Sequence, residues 1–315
     1  MKLPSLIFVV GPTAVGKTAL SLELAERLER PILSCDSLCF YRGMNIGTAK
    51  PTAEERERVT HYGIDLVDPS ERYDIAQYLE YARHCVETHA ESGLIISGGS
   101  GFYLKSFFEP VTDQVNVPES ITREVHALYQ KAGLEGLLQT LRKRNPAGTG
   151  NLDIKNPRRV EKALMRCMAS GQTLQELENA FDRQPDPYAD ISRCVILLDR
   201  ETTELKARIA QRTQQMLANG LIEEVRRLRD AGLERNPSGR NSIGYRETLQ
   251  FLDGEFDQQT LEVEISLHTR QLVRKQRIWF RKQIPIDFKW NPDEIHVQEA
   301  LNRLKSHDPA RNHWK

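Results

Sequence analysis

The sequence predicts an α/β fold: a P-loop-type parallel sheet flanked by helices, with an all-helical domain inserted into it. Three observations lead to this prediction. A glycine-rich loop at residues 11–18 lies between an apolar run and a helical pattern, strand and helix patterns alternate up to residue 112, and residues 113–190 carry helical patterns alone. We therefore expect a core formed by residues 1–112 and 191–315, and an inserted domain formed by residues 113–190.

The glycine-rich loop has the full spacing of a phosphate-binding loop. The apolar run Leu6–Val10 before it predicts a buried strand, and Ala19–Leu28 after it carries leucines at helical spacing. Free N–H groups in the first turn of such a helix bind anionic oxygens. We expect Lys17 to bind the terminal phosphates and Thr18 to bind Mg²⁺. The residues that would hold a diphosphate or triphosphate, ATP included, are Gly11, Pro12, Thr13, Ala14, Val15, Gly16, Lys17 and Thr18.

Two later strand patterns end in loops that could reach the same ligand. Ile32–Cys35 ends in Asp36 and Ser37, and Leu94–Ser97 ends in a glycine-rich turn at residues 98–101. Because ligands of open parallel sheets bind beyond the carboxyl ends of the strands, we expect both turns to meet the phosphate-binding loop. At this point Asp36 fits a role in chemistry and a role as a turn residue equally well.

The helical pattern from Thr203 to Asn219 carries two arginines with different expected roles. Arg208 lies four residues after Glu204, and an ion pair between them is sufficient to explain it. Arg212 has no acidic residue at that spacing, so it is the better candidate for a functional role.

Composition excludes several classes of protein. The 315 residues hold 44 Lys and Arg against 44 Asp and Glu, which argues against a nucleic-acid binder that depends on overall positive charge. No apolar run is long enough to span a bilayer, and we expect no signal peptide. The five cysteines and eight histidines form no metal-binding spacing, so we expect reduced thiols and a cytoplasmic protein.

Charge is distributed unevenly along the chain, and residues 269–283 hold six basic residues and no acidic one. Arg270, Arg274, Arg277 and Arg281 recur at helical spacing, which predicts a basic stripe on one face of a helix. Such a stripe is either an ordinary solvated face or a surface for a polyanion, and the absence of interleaved acids favours the polyanion.

The motifs described so far occur with others in a fixed order. The chain carries Gly11–Thr18, Asp36-Ser37, Tyr41–Pro51, Gly98–Leu104, Asn156–Leu164, Arg212–Val225, Ile243–Glu247 and Thr269–Arg281. Together these segments resemble the tRNA dimethylallyltransferase family, the bacterial isopentenyl transferases. Asn45 and Ser100 depart from the usual Asp and Thr of the family. Ser100 keeps a hydroxyl group, whereas Asn45 lacks a charge.

The resemblance implies a reaction. The exocyclic amine of the adenosine just 3′ of the anticodon would attack dimethylallyl diphosphate, and diphosphate would leave. By family analogy Asp36 takes the amine proton. Arg212 and a Mg²⁺ ion on Thr18 would stabilise the leaving diphosphate, and Thr13 could form a hydrogen bond to the bridging oxygen or to the amine.

The resemblance also implies contacts with the tRNA anticodon stem-loop, whose adenine must leave its stack to reach a crevice. The residues implied are Asp36, Ser37, Leu38, Cys39, Ser100, Arg123, Pro157, Arg158, Arg159, Val160, Glu161, Asn241, Ser242, Ile243, Gly244, Tyr245 and Arg246. The four arginines of the basic stripe would hold phosphates. We expect the transferase to work as a monomer away from any membrane.

Three alternatives remain open on the residues alone. A small-molecule kinase of shikimate or nucleotide type would share the glycine loop and Asp36, but it is usually much shorter. An RNA-binding NTPase would need a magnesium-binding Asp after an apolar strand and a base-recognition motif, and neither is clear here. A transferase for free adenine nucleotides would not need the inserted domain.

Overall fold

The computed structural model describes residues 3–113 and 115–306. The chain forms two compact units. The first comprises the chain up to Phe108 and from Tyr188 onward, and the second is Glu109–Pro187. The bounds predicted for the insertion, residues 113 and 190, lie within a few residues of these.

The first unit is built on a six-stranded sheet in which every paired strand is parallel to its neighbour. The strands are β1 (Leu6–Val10), β2 (Ile32–Ser34), β3 (His61–Tyr62), β4 (Leu94–Gly98), β5 (Arg193–Leu198) and β6 (Phe288–Trp290). Their order is β3-β2-β4-β1-β5-β6, so the strand before the glycine loop lies at the centre. The predicted α/β fold with a parallel sheet is confirmed.

Helices cover both faces of this sheet. In the first unit they are α1 (Lys17–Leu28), α2 (Ala53–Arg58), α3 (Ile75–Thr88), α4 (Gly101–Lys105), α8 (Thr202–Ala218), α9 (Leu221–Asp230), α10 (Pro237–Arg240), α11 (Tyr245–Leu252), α12 (Gln258–Gln283) and α13 (Val297–Ser306). A short 3₁₀ turn at Leu233–Arg235 precedes α10. Those of the second unit are α5 (Glu119–Arg144), α6 (Pro157–Ser170) and α7 (Leu174–Asp182).

Alternation along β1 creates two apolar layers. Ile7 and Val9 pack on the face covered by α1, α8 and α13, and Leu6, Phe8 and Val10 pack on the face covered by α3 and α4. All five side chains are at most 2% exposed. A strand buried on both faces needs such a continuous apolar run, which is why the sequence shows no polar alternation there.

A third apolar cluster lies under α9, α11 and the first half of α12. It joins Leu221 and Val225 of α9 to Tyr245 of α11 and to Tyr41 and Met44 of the segment after β2. This packing attaches the long segment 41–51 to α9, α11 and α12.

The second unit is a helical bundle with its own core. Leu137 and Leu141 of α5 pack against Val160 and Leu164 of α6. Gly133 adopts φ +60° inside α5 and interrupts its helical conformation. α6 begins directly after Asn156: the Asn156 side chain accepts from the Arg159 N–H, and proline fits the first turn because it has no N–H to leave unpaired.

β3, β6 and α13 are among the elements that the sequence analysis did not predict. All five cysteines are buried and unpaired. Among the residues that the structure describes, no helix combines the length and apolar character that crossing a membrane requires.

Candidate active site

The carboxyl ends of β1, β2 and β4 converge on two cavities in the first unit. The larger, of about 540 Å³, is lined by residues from all three following loops and by apolar side chains of α8 and α12. The smaller, of about 100 Å³, is lined by Lys17, Thr18 and other polar groups at the start of α1. Thr13, Asp36, Thr48 and Arg212 line both cavities, so they lie where the two spaces meet.

The backbone of the glycine loop explains its residue types. Gly11 has φ +152°, and a Cβ atom there would lie 2.4 Å from the carbonyl oxygen of Leu198 on β5. Gly16 has φ +107° and is the N-cap of α1, so α1 begins at Lys17 directly after the loop. Only glycine accepts both the close approach and the positive φ without strain.

Cations bind four carbonyl oxygens of this loop. The Lys17 ammonium donates to Gly11 O at 3.0 Å and to Pro12 O at 2.9 Å. Two arginines that follow β5 bind the next turn, because Arg208 Nε donates to Ala14 O and Arg200 Nε donates to Val15 O.

The expected ion pair between Arg208 and Glu204 is therefore wrong. Glu204 instead pairs with Arg200, whose side chain also pairs with Asp293. Helical spacing alone could not distinguish these arrangements, because Arg200 lies four residues before Glu204 and Arg208 four residues after it.

The surroundings of Lys17 favour the neutral form of its amine. Burial lowers the pKa of Lys17 to about 8; the charge of Asp36 opposes this shift, and that of Arg212 adds to it. A buried cation without a full counter-charge is stabilised when an anion binds beside it. This arrangement suits a diphosphate ligand.

The position of Asp36 is compatible with both of the roles that the sequence left open. Its Oδ1 accepts from the Leu38 N–H at 3.1 Å, as a turn residue would. Its charge also acts on Lys17 and Arg212 across the smaller cavity. The half-buried carboxylate thus lies between a phosphate-binding surface and the larger cavity.

Arg212 has no ion-pair partner at hydrogen-bond distance among the described residues. Its Nη2 donates to Thr48 O at 3.4 Å, and burial lowers the pKa of its guanidinium while Asp36 raises it. Arg212 lines both cavities, so it remains the better candidate of the two arginines for a functional role.

The segment that supplies Thr48 is held by a carboxylate that the sequence analysis missed. Glu224 is 3% exposed, and it accepts from the backbone N–H groups of Asn45, Ile46 and Gly47 at 3.1, 2.8 and 3.2 Å. The two cations of the segment also bind within the chain: Arg42 pairs with Asp68, and Lys50 pairs with Asp65.

Ser100 connects two of the converging loops. Its Oγ accepts from the Ser37 N–H at 3.1 Å, which joins the turn after β4 to the turn after β2. The hydroxyl group that Ser100 retains therefore links the two turns by a hydrogen bond.

Three residues implied as tRNA contacts have buried side chains. Cys39 is 6% exposed, and Val160 and Tyr245 are both 0% exposed. Burial also raises the pKa of the Cys39 thiol to about 12, so it stays protonated. These side chains can support neighbouring contacts but cannot themselves meet a macromolecule at the surface.

The other implied tRNA residues divide between the two units. Ser37, Leu38, Asn241, Ser242, Ile243 and Gly244 line the larger cavity. The Arg246 side chain pairs with Glu247. Arg123 and Pro157–Glu161 belong to the second unit, where Pro157–Glu161 forms the first turns of α6 and Arg159 lies 3.6 Å from Asp153.

The basic stripe on α12 is not uniform. Arg274 and Arg281 are exposed and Arg270 is partly exposed. Arg277 differs, because its guanidinium binds Asp199, the Thr202 hydroxyl and the carbonyl oxygen of Arg200. The expectation that all four arginines face a polyanion therefore needs correction at Arg277.

The two aromatic residues of the same helix also differ. Phe280 is 1% exposed and packs in the core. Trp279 instead lines the larger cavity, against the backbone of Gly101, where a Cβ atom would lie 2.6 Å from its ring. Spacing along α12 could not separate these neighbours.

No group of three or more His, Cys, Asp or Glu side chains in the described ranges could hold a metal ion by itself. Thr18 is exposed and lines the smaller cavity with Lys17 and Asp36. A magnesium ion commonly takes one hydroxyl or carboxylate from the protein and the remaining oxygens from substrate phosphates and water. The residues present therefore fit an ion that arrives with a diphosphate.

Comparison with known proteins is consistent along almost the whole chain. The IPP transferase family model matches residues 39–283. A tRNA dimethylallyltransferase of Opitutus terrae is 51% identical over 284 residues, which cover 90% of this chain and 91% of that protein. One from Syntrophomonas wolfei is 36% identical over 297 residues, 93% of each chain.

Two solved structures are similar to this chain along most of its length. The crystal structure of the full-length tRNA isopentenylpyrophosphate transferase from Bacillus halodurans is 31% identical, with a TM-score of 0.68 and 96% of each chain covered. A eukaryotic dimethylallyltransferase acting on tRNA has a TM-score of 0.79, covering 98% of this chain and 81% of that one; at 21% identity it supports the fold alone. On the family model and these relatives, the chain belongs to the IPP transferase family.

Proposed function

We propose that the protein transfers the dimethylallyl group of dimethylallyl diphosphate to the exocyclic amine of the adenosine 3′-adjacent to the anticodon of tRNA, with release of diphosphate. One observation carries the proposal beyond family membership. A small polar cavity on the glycine loop meets a larger, partly apolar cavity at Thr13, Asp36 and Arg212. The first has the chemistry for a diphosphate, and the second has room for a prenyl group and an adenine.

Asp36 is the proposed general base. The adenine nitrogen forms a bond to the first carbon of the allyl group, and the carbon–oxygen bond to diphosphate breaks with its electron pair leaving on oxygen. The amine proton goes to the Asp36 carboxylate. The lone pair of this amine is delocalised into the ring, so proton removal during attack contributes to the rate.

The leaving diphosphate gathers negative charge as that bond breaks. Lys17, Arg212 and the N-terminus of α1 lie around the smaller cavity and would stabilise this charge. Thr13 lies at the junction, where it could contact the bridging oxygen or the amine. Thr18 would hold Mg²⁺, which supplies a further positive charge to the diphosphate.

The anticodon stem-loop would be held by residues that do not read its sequence and by residues around the larger cavity. Arg270, Arg274 and Arg281 have the exposure and spacing for phosphate contacts. Asn241–Gly244 and Ser37–Leu38 line the cavity that the adenine would enter. We also propose that the second unit contributes Arg123 and the start of α6, that the enzyme works as a monomer, and that it works in the cytoplasm beside its tRNA substrate.

The kinase alternative lacks a comparable observation. It shares the glycine loop and Asp36, but a small-molecule kinase has no use for the exposed basic residues of α12. Every named relative above is a tRNA-modifying transferase.

The test is incubation of the protein with dimethylallyl diphosphate, Mg²⁺ and an anticodon stem-loop RNA, followed by nucleoside mass spectrometry. We expect one adenosine to gain a C₅H₈ unit and an equal amount of diphosphate to be released. A stem-loop with guanosine at that position should not react. Formation of adenosine diphosphate from ATP and a small hydroxyl acceptor, without RNA modification, would favour the kinase instead.

A further inference from the structure

Gln276 of α12 lies inside the larger cavity, between two of the loops that build the site. It is partly buried, and it is surrounded in sequence by the basic residues Arg274, Lys275 and Arg277. Nothing in its position along the helix distinguishes it from a solvent-facing glutamine. Its contacts do.

Both ends of the Gln276 amide are used. The side-chain oxygen accepts from the Thr13 N–H at 2.9 Å, and the side-chain nitrogen donates to Gly99 O at 3.1 Å. One side chain therefore joins the phosphate-binding loop after β1 to the glycine turn after β4, across 263 residues of sequence in the first case.

The fit at Gly99 is close. A Cβ atom on Gly99 would lie 2.9 Å from the Gln276 nitrogen and 3.6 Å from the Lys17 ammonium. A larger residue at this position would displace the Gln276 amide from its present place. Glycine at this position lets the amide reach the backbone.

Arg277, the next residue, contacts the phosphate-binding loop indirectly, through Arg200. It binds the Arg200 carbonyl oxygen, and the Arg200 side chain binds Val15 O. The helix that carries the basic stripe consequently contacts the phosphate-binding loop near both of its ends, at Thr13 and, through Arg200, at Val15.

We infer that Gln276 is a positioning residue, which fixes the Thr13 backbone and the Gly99 turn relative to the helix that carries the tRNA-binding arginines. The inference rests on the proposed function. Because Thr13 stands at the junction of the two cavities, a displacement of about 1 Å there would misalign the diphosphate with the attacking amine, and misplacement on that scale can cost about 10²-fold in rate.

Two substitutions remove the contacts in different ways. Gln276→Leu removes both hydrogen bonds while keeping a similar volume. Gln276→Glu keeps an acceptor for the Thr13 N–H, loses the donor to Gly99 O, and adds a negative charge beside the diphosphate space. Gln271→Leu and Gln271→Glu are the matched controls, since Gln271 is exposed on the same helix.

The experiment measures single-turnover transfer to a stem-loop RNA, RNA affinity, affinity for inorganic pyrophosphate with Mg²⁺, and the thermal midpoint. We expect Gln276→Leu to slow transfer by about 10- to 100-fold while RNA affinity stays within about twofold. We expect Gln276→Glu to weaken pyrophosphate binding about tenfold. The Gln271 variants should match the wild type in pyrophosphate affinity, in thermal midpoint and in transfer at saturating RNA, and Gln271→Leu should also match it in RNA affinity.

The outcomes separate the inference from the proposed function. Wild-type protein without transfer activity contradicts the proposed function, and the pyrophosphate affinity of Gln276→Leu, which loses both hydrogen bonds without gaining a charge, still judges the inference. Unchanged transfer and pyrophosphate affinity in both Gln276 variants overturns the inference. A loss of transfer that follows RNA affinity also overturns it, because Gln276 would then be an RNA contact. If Gln276→Leu lowers the thermal midpoint, single-turnover transfer by the nearly isosteric Gln276→Glu at saturating RNA and dimethylallyl diphosphate decides, because saturation removes the effect of the added charge on binding.

Discussion

The phenol of Tyr245 donates a hydrogen bond of 2.7 Å to the buried carboxylate of Glu224. Burial raises the pKa of Tyr245 well above its usual value, so the phenol remains a donor. The same carboxylate accepts three successive backbone N–H groups of residues 45–47, and the Tyr245 ring packs so closely on Gly47 that a Cβ atom there would lie 2.5 Å from it. These contacts fix the position of Thr48, whose carbonyl oxygen accepts a hydrogen bond from the Arg212 guanidinium.

The first prediction concerns this carboxylate. In Glu224→Gln an amide NH₂ would face N–H and O–H donors in a buried site, so we expect the free energy of unfolding to fall by about 3 kcal/mol. Tyr245→Phe, which loses one hydrogen bond to a charged group, should cost about 1.5 kcal/mol. Urea denaturation measures both. Glu223→Gln is the control because that neighbour is well exposed; an equal loss there would contradict a specific role for Glu224.

The second prediction concerns the proposed base. Asp36→Asn keeps the size of the side chain and an oxygen for the Leu38 N–H, but it cannot take a proton. We expect single-turnover transfer to slow by about 10²- to 10⁴-fold. Pyrophosphate affinity should stay the same or increase, because a negative charge beside Lys17 and Arg212 is lost. Asp68→Asn, at an exposed surface pair with Arg42, is the control. Near-normal transfer in Asp36→Asn would leave Asp36 as a turn residue only.

The third prediction concerns pH. Only protonated Lys17 carries the positive charge that binds diphosphate, and its pKa lies at about 8. As pH rises through this value the free enzyme loses the cation, so kcat/KM for dimethylallyl diphosphate should fall above about pH 8. Bound diphosphate favours the charged form, so the corresponding fall in kcat should occur at higher pH.

A variant provides the comparison for that profile. Lys17→Met should show weaker diphosphate binding at every pH and no fall in kcat/KM near pH 8. A wild-type profile that is flat from pH 7 to pH 9.5, or a fall that persists in Lys17→Met, would assign the titration to another group.

The fourth prediction separates arginines of the basic stripe. The double substitution of Arg274 and Arg281 with Gln should weaken binding of all RNA substrates and reduce the slope of log affinity against log salt by about one per lost phosphate contact. Fluorescence titration with labelled stem-loop at several salt concentrations measures both quantities. An unchanged slope would make the stripe an ordinary solvated face.

Arg277→Gln should behave differently, because this guanidinium binds Asp199 and the Arg200 carbonyl oxygen. We expect a loss of unfolding free energy of about 2 kcal/mol and little change in the salt slope. Equal slope changes in Arg277→Gln and in the double variant would show that Arg277 contacts phosphate as well.

The sequence by itself determined the features that depend on local chain geometry. The glycine spacing at residues 11–18 specifies a strand, a turn with positive φ and a helix start within one short segment, and the structure has them there. The positions of Asp36 and Gly98 after apolar strands predicted that their loops meet, because parallel strands in one sheet present their carboxyl ends at one edge.

Tertiary structure alone decided which side chains support that site. The Glu224 carboxylate accepts hydrogen bonds from residues 177 to 179 positions away in the sequence. The Gln276 side chain accepts one from Thr13, which lies 263 positions away. Arg208 binds the glycine loop rather than Glu204, and Tyr245 turns into the core rather than toward RNA. Helical periodicity gives the face on which a residue lies, but it does not say which distant segment packs against that face, and burial and hydrogen-bond partners follow from that packing.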